Sequence, residues 1–555
     1  MKINTLTAQL SVSPQIMPND IPNIAASGFK SIICNRPDGE GADQPSFREV
    51  EQAAQDAGLE IRYLPVVSGK VSDEQVSEFD QLLEALPKPV LAYCRTGMRS
   101  TTLWGSSRAG RMSEEQILAR ANEAGYDLSG VIRRIASAGS TSSEVADTSH
   151  QIVIVGAGAA GISVAASLLA RNADLDIALI DPADVHYYQP GWTLVGGGVF
   201  NAQQTVRAMG TLIPRGVRWI KSAVAGFEPE RNTVLLEGCR TVKYEHLIVC
   251  PGLKLNWDGI KGLSDTLGHN GVTSNYRFDL APYTWELVNR FTGGNALFTQ
   301  PPMPIKCAGA PQKAMYLSCD AWRRSGILSK SNVQFHTAAA VLFGVADYVP
   351  ALMEYVKAYG IDLNFGRNLT AIDGERRIAT FSSSTPDGVV QTHDTPFDMI
   401  HVVPPQSAPD FIRESPLADA AGWIDVDQGT LRHKKFANVF GLGDATNTPN
   451  AKTAAAARKQ APVVAHNLLV SLGKGKREAR YDGYGSCPLT VERGKIVLAE
   501  FTYGGKLAPS FPTWLLDGTK PSRLAWLLKE RVLPSLYWEG MLKGHEWLAQ
   551  PEMVG

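Results

Sequence analysis

Short apolar runs alternate with segments of helical period along most of this chain. Near the start, Phe29-Lys-Ser-Ile-Ile-Cys34 and Glu60-Ile-Arg-Tyr-Leu-Pro-Val66 alternate or run apolar as strands do, and Ser72 to Glu84 shows a capped helical pattern. Val90-Leu-Ala-Tyr93 is a further strand, and Ser113 opens a Ser-x-x-Gln capping box that closes the unit. Strands and helices in alternation predict a small α/β domain over residues 1–137. Residues 138–149 are small, polar and Ser/Thr-rich, which predicts a flexible linker. From Gln151 the alternation resumes on a larger scale. Gln151 to Val155, Asp176 to Ile180, Asn295 to Thr299 and Phe436 to Phe440 read as strands, and Ile162 to Arg171 and Ala451 to Gln460 as helices, so residues 150–500 form a second α/β region.

The first strand of that region runs into Gly156-Ala-Gly-Ala-Ala-Gly161 and then a helix. Gly156, Gly158 and Gly161 permit a tight turn, close backbone approach of a pyrophosphate and close helix packing, and Ala160 stands with them among the expected cofactor contacts. The helix N-terminus would hold the phosphates. Asp181, at the end of the next strand, is placed to bind a ribose hydroxyl, somewhat beyond the usual spacing of about 20 residues. Without the flanking strand, helix and acid, such a turn would be no more than packing.

Composition narrows the class. The 555 residues carry a net charge of −1, which offers no bulk electrostatic case for nucleic acid. Seven cysteines are too few for a disulfide framework, the first residues lack a secretory apolar core, and no window holds some 18 uninterrupted apolar residues. A cytoplasmic protein is expected, in which a disulfide would be catalytic.

Cys94-Arg-Thr-Gly-Met-Arg-Ser100 follows the last strand of the N-terminal unit, with a helix expected from Ser100 or Thr101. Backbone N–H groups, the helix dipole, Arg95 and Arg99 would lower the thiol pKa and cradle an anion, as a nucleophilic thiolate requires. A structural cysteine beside a glycine turn is the plain alternative. With Asn35-Arg-Pro-Asp-Gly-Glu40, this loop resembles the small phosphatase-like domains of sulfur-metabolism fusions, related to dual-specificity phosphatases and rhodaneses. Phosphatase loops of that kind hold five residues between cysteine and arginine, whereas four lie between Cys94 and Arg99. That is the rhodanese spacing, and Asp38 is the one general-acid candidate. Sulfur transfer through a Cys94 persulfide is favoured over phosphate hydrolysis, with a docking or sensing module as a third reading.

In the larger region, Phe436-Ala-Asn-Val-Phe-Gly-Leu-Gly443-Asp444 is a strand ending on an acid, the pattern that places an aspartate on the flavin ribitol in FAD enzymes with two nucleotide-binding folds. A second glycine fingerprint, expected after Thr299, is replaced by Gln300-Pro-Pro-Met-Pro-Ile-Lys-Cys307, so backbone donors are lost and nicotinamide binding is not expected. Lys306 and Lys313 would favour a thiolate at Cys307. Cys250, Cys319 and Cys487 are its candidate partners. The tail 501–555 interleaves apolar segments with basic residues and concentrates Trp514, Trp526, Trp538 and Trp547, as an interfacial membrane segment would. A closing helical pair or a dimer contact would read the same way.

At Tyr187-Tyr-Gln-Pro-Gly-Trp-Thr-Leu-Val-Gly-Gly-Gly198, Lys306-Cys-Ala-Gly-Ala-Pro-Gln-Lys313, Lys452-Thr-Ala-Ala-Ala456 and Tyr481-Asp-Gly-Tyr-Gly-Ser-Cys-Pro-Leu489, the chain resembles the sulfide:quinone oxidoreductases of mitochondria and many bacteria. The resemblance implies tandem Rossmann-type FAD-binding domains of the flavin disulfide reductase kind, with a C-terminal amphipathic membrane-binding segment. It puts the redox pair on Cys307 and Cys487, with Lys313, Lys452 and Thr453 among the cofactor contacts. Cys250 lies near the flavin in the same alignment, and some members of the wider family use three cysteines. Hydrosulfide would attack Cys487, Cys307 would be released against FAD, a small thiol or sulfite would take the sulfane sulfur, and quinone would take the electrons. The protein would lie on the inner face of the cell membrane, with homo-oligomer formation left open. A type II NADH:quinone dehydrogenase is the rival of the same shape, disfavoured by the missing second fingerprint.

Overall fold

The computed structural model describes residues 3–41, 44–128, 131–132, 148–238, 240–385 and 387–553. Its N-terminal unit is a five-stranded sheet in the order Asn4–Thr7, Leu10–Ser13, Val90–Tyr93, Ser31–Cys34, Glu60–Tyr63. Only the first pair is antiparallel; the remaining pairings are parallel. Ser31–Cys34 and Val90–Tyr93 are buried on both faces because apolar clusters lie on either side of the sheet. The expected capping boxes form, Ser72 with Gln75 and Ser113 with Gln116. The helix after Cys94 starts at Met98, earlier than Ser100, because Gly97 takes φ 89° and closes the turn at once.

The expected linker lies outside the described residues except for Thr148 and Ser149, which already belong to the strand Thr148–Val155. That strand sits within a seven-stranded sheet. Val217–Ile220, Ile177–Ile180, Thr148–Val155, Thr241–Val249 and Val439–Gly441 are parallel; Thr233–Leu236 pairs antiparallel with Thr241–Val249, and Val224–Glu228 pairs antiparallel with Thr233–Leu236 at the edge. A second, five-stranded sheet is parallel throughout: Val272–Thr273, Met399–His401, Gly294–Gln300, Ser331–Thr337 and Asp362–Phe365. Parallel sheets with buried strands and crossover helices make two Rossmann-type layers, so the α/β class expected from the alternation and the tandem arrangement implied by the resemblance are what form.

The tail is helical from Arg523 to Lys543 in short α, π and 3-10 pieces. Its tryptophans split by role. Trp526 and Trp538 are buried, Trp538 within the core of the seven-stranded sheet, whereas Trp514 is 83% and Trp547 60% exposed. Trp526 and Trp538 therefore serve packing, and the aromatic surface comes from the others. Among the described residues no helix is long and apolar enough to cross a membrane.

Candidate redox site and the fused thiol loop

Cys307 lies in the loop between the strand Gly294–Gln300 and the helix Ala310–Ser325. Its φ of 46° is rare for a side-chain-bearing residue and is held on both sides. Its N–H donates to Lys452 O at 2.8 Å, and its carbonyl accepts from Ala310 N–H at 2.7 Å and Tyr276 Oη at 3.3 Å. Cys487 comes from the hairpin Gly485–Glu492 and Lys495–Phe501, which packs on the helix Ala310–Ser325 through Leu489, Val491 and Val497. Gly309 allows that approach, since a Cβ there would meet Cys487 Sγ at 2.4 Å. The two sulfurs stand 3.6 Å apart, a dithiol contact.

Lys313, in the first turn of that helix, donates to Cys307 Sγ at 3.1 Å and is buried. The hydrogen bond from Cys487, and then Lys313, hold the Cys307 thiol well below its ordinary pKa against the cost of burial. Cys487 is correspondingly raised, by that same hydrogen bond and by burial, so the pair keeps its proton on Cys487. Lys313, expected among the cofactor contacts, thus sits on the sulfur. The other candidate partners stand elsewhere. Cys250 Sγ contacts Gly156 O at 3.6 Å, and Cys319 is inside the helix Ala310–Ser325; burial raises both thiols.

The turn at Gly156 to Gly161 is tight at both of its ends. Gly156 takes φ 102°, and a Cβ on it would meet Cys250 O at 2.6 Å; one on Gly161 would meet Gly156 O at 1.8 Å. At Gly158 nothing lies within 4 Å, so this position is free for a ligand's phosphates. Asp181 accepts from Ala157 N–H at 2.7 Å and Ala183 N–H at 2.8 Å, which fixes the carboxylate beside the turn. A carboxylate has about four acceptor sites, so it can still take ribose hydroxyls. Across the turn, Gly443 approaches Ala160, its Cβ position 3.2 Å from the Ala160 Cβ. Asp444 accepts no hydrogen bond from a described residue; burial raises its pKa, opposed by Lys452 and Lys306. A half-buried acid with open acceptor sites beside an open glycine turn fits a ligand rich in hydroxyls, as FAD is. Lys452 donates to Thr446 O at 2.7 Å and burial lowers its amine to about 8. Thr453 caps the helix Ala454–Ser471 by accepting from Ala456 N–H.

Comparison with known proteins places these features. Residues 150–285 match the family model described as pyridine nucleotide-disulphide oxidoreductase. The mitochondrial sulfide:quinone oxidoreductase of Dictyostelium discoideum is 44% identical over 71% of this chain and 86% of its own length. The chain belongs to the sulfide:quinone oxidoreductase family. The mouse mitochondrial sulfide:quinone oxidoreductase is 39% identical over 71% of the chain and 87% of its own length. The solved structure of the Aquifex aeolicus sulfide:quinone oxidoreductase, 18% identical, superposes with a TM-score of 0.61 over 73% of this chain and 97% of that one, a likeness of fold. What departs from these sulfide:quinone oxidoreductases is the N-terminal unit. Residues 2–111 match the phosphatase-like domain of the beta-lactamase hydrolase-like proteins. The Agrobacterium fabrum protein of that name is 33% identical over 24% of this chain and 31% of its own length.

In this unit Cys94 is fully buried and its sulfur accepts from Gly97 N–H at 3.1 Å. Arg99 is not free to face an incoming anion unaided. Its Nη atoms donate to both oxygens of Glu40, at 2.8 and 2.7 Å, and its Nε lies 3.1 Å from Glu237 of the flavoprotein. Asp38 accepts from Phe47 N–H at 2.7 Å, and burial raises it to about 6 with Asp258 of the flavoprotein nearby.

Sequence reasoning did not single out Tyr276, Glu237 or the particular role of Lys529. Lys529 is buried, donates to Pro190 O and carries its charge toward Lys313 and both cysteines. Its one sequence signal is a lysine at the end of the apolar run Leu524 to Leu528; the others are silent without the fold.

Proposed function

We propose that this chain oxidises hydrogen sulfide at the Cys307–Cys487 pair, with bound FAD and a membrane quinone as electron acceptors. The single observation that supports this most is the 3.6 Å sulfur contact with Lys313 beneath it. Gly156, Gly158, Ala160 and Gly161 with Asp181 would hold the adenosine and pyrophosphate end of FAD, and Gly443, Asp444, Lys452 and Thr453 the flavin end. When bound, FAD supplies the two-electron acceptor chemistry that restores the disulfide and passes the electrons to quinone.

The chain's own residues govern the sulfur steps. In the oxidised state hydrosulfide attacks Cys487 Sγ; the new S–S bond forms there as the Cys307–Cys487 bond breaks, and the electron pair leaves on Cys307. Lys313 stabilises that leaving thiolate, which is why the lower pKa belongs on Cys307. A small thiol or sulfite then takes the outer sulfur, leaving the Cys487 thiolate. The Cys94 unit relays this sulfur in our reading, its tether raising the local concentration of one thiol near the other. Trp514, Leu515, Leu527, Val532, Trp547 and Leu548, all exposed, would seat the protein on the inner face of the cell membrane without crossing it.

Anaerobic sulfide titration of the flavin spectrum tests the central reading. Sulfide should bleach the flavin and a soluble quinone restore it, whereas Cys307→Ser and Cys487→Ser should each abolish the bleaching. Bleaching by NADH instead would turn the assignment to a dehydrogenase. For the relay, Cys94→Ser must change sulfur-acceptor kinetics; unchanged persulfide output would end it.

A further inference from the structure

Glu237 stands at the tip of the hairpin between the strands Thr233–Leu236 and Thr241–Val249, on the flavoprotein, and is 1% exposed. Among the described residues, every group its carboxylate meets lies on the other unit. Oε1 accepts from Ser68 Oγ at 2.7 Å and lies 3.1 Å from Arg99 Nε; Oε2 accepts from Thr96 Oγ1 at 3.2 Å. The Arg99 Nε is close enough for an ion pair but is not aligned as a hydrogen bond, so that part of the attraction is coulombic. Thr96 belongs to the loop that carries Cys94, and Arg99 to the first turn of the helix that follows it.

A buried carboxylate costs several kcal/mol to strip of water unless it is paired and hydrogen-bonded. Here, among the described residues, the compensation comes from an anion cradle on a neighbouring domain: two hydroxyls and a guanidinium beside a helix N-terminus. The fit is tight. A Cβ on Gly238 would lie 3.1 Å from Met98 Sδ, and one on Gly69 would lie 2.6 Å from the Ala225 Cβ. Arg240 and Asp127 pair at 3.7 Å at the same junction.

We propose that Glu237 is a built-in substitute ligand that closes the Cys94 loop, and that the loop's own ligand is a small oxyanion which must displace this carboxylate. The hairpin then acts as a plug: the thiol is closed while the two units are docked and opens when an anion outcompetes Glu237. The inference concerns anion binding and stands apart from the sulfur relay, since a thiosulfate and a phosphate group share the required oxygens. Glu237→Gln leaves Arg99 its bidentate Glu40 and keeps neutral partners for Ser68 and Thr96, so the fold survives.

The test uses the full-length, flavin-loaded protein and follows Cys94 alkylation by peptide mass spectrometry. Iodoacetate, an anion, and iodoacetamide, its neutral counterpart, report charge and access separately. Glu237→Gln should accelerate iodoacetate at Cys94 about tenfold, the equivalent of about 1.4 kcal/mol, and iodoacetamide far less. Thiosulfate or inorganic phosphate should then protect Cys94 in the variant at concentrations that leave the native protein's alkylation rate unchanged; whichever protects identifies the source of the oxyanion. Sulfide-dependent quinone reduction should be unchanged. Arg240→Ala, which removes the ion pair to Asp127, should leave the ratio of the two reagents at its native value. Equal acceleration of both reagents in Glu237→Gln, no acceleration, or protection by neither anion would overturn the proposal.

Discussion

Lys313 makes the sharpest quantitative claim in the structure. Its ammonium lies 3.1 Å from Cys307 Sγ in a buried setting, so Lys313→Met removes one unit of charge while keeping much of the side chain's volume. At an effective dielectric of about 20, two unit charges at that separation interact by about 5 kcal/mol. At roughly 1.36 kcal/mol per unit, that is nearly four pKa units. Lys529 keeps its place in the variant and water entering the site screens the remainder, so we expect about half, a rise of roughly two units. The assay is the pH profile of Cys307 carbamidomethylation in the reduced protein, read by peptide mass spectrometry. Native Cys307 should react as a thiolate well below the ordinary thiol range, and the profile of Lys313→Met should move up by about two units. Lys313→Arg should restore most of the low midpoint, because charge rather than shape sets it. Superimposed profiles for native protein and Lys313→Met, with flavin content intact, would refute the electrostatic account and leave the Cys487 hydrogen bond as the sole cause.

Lys529→Met should raise the melting temperature at pH 7. Burial pushes the native amine from 10.5 down to about 7, so between those values the unfolded chain binds the extra proton, native stability climbs with pH, and the variant's advantage should close toward pH 10. Gly158→Ala should fold normally, since its Cβ meets nothing, yet purify with a lower flavin-to-protein ratio, whereas Gly161→Ala should lose both fold stability and flavin. Replacing Trp514 and Trp547 together with serine should abolish flotation with anionic vesicles while turnover with a soluble quinone persists, because both rings are exposed and pack little of the core. A matching loss of thermal stability would instead make them part of the fold.

Local chemistry was legible along the chain wherever one element carries it. The glycine turn, the Ser72 and Ser113 caps, the thiol loop and the proline-broken second fingerprint depend on residues within a few positions of one another, whose φ, capping and donor requirements are local. The alternation of apolar strands and helices likewise specified two α/β regions, while the tandem nucleotide-binding arrangement of the larger one was legible only through its family resemblance. Which cysteine meets Cys307 was not local. Cys487 stands 180 positions away, and its partnership is decided by a hairpin packing on the helix Ala310–Ser325 with Gly309 at the contact. The same holds for the tail, where one apolar pattern yields buried Trp526 and Trp538 beside exposed Trp514 and Trp547. It holds most of all for Glu237, an ordinary acid in a turn until tertiary contact brings it to Arg99. Periodicity and spacing record what a segment must bury or bond; which surface satisfies it depends on distances between elements, and only the packed chain sets those.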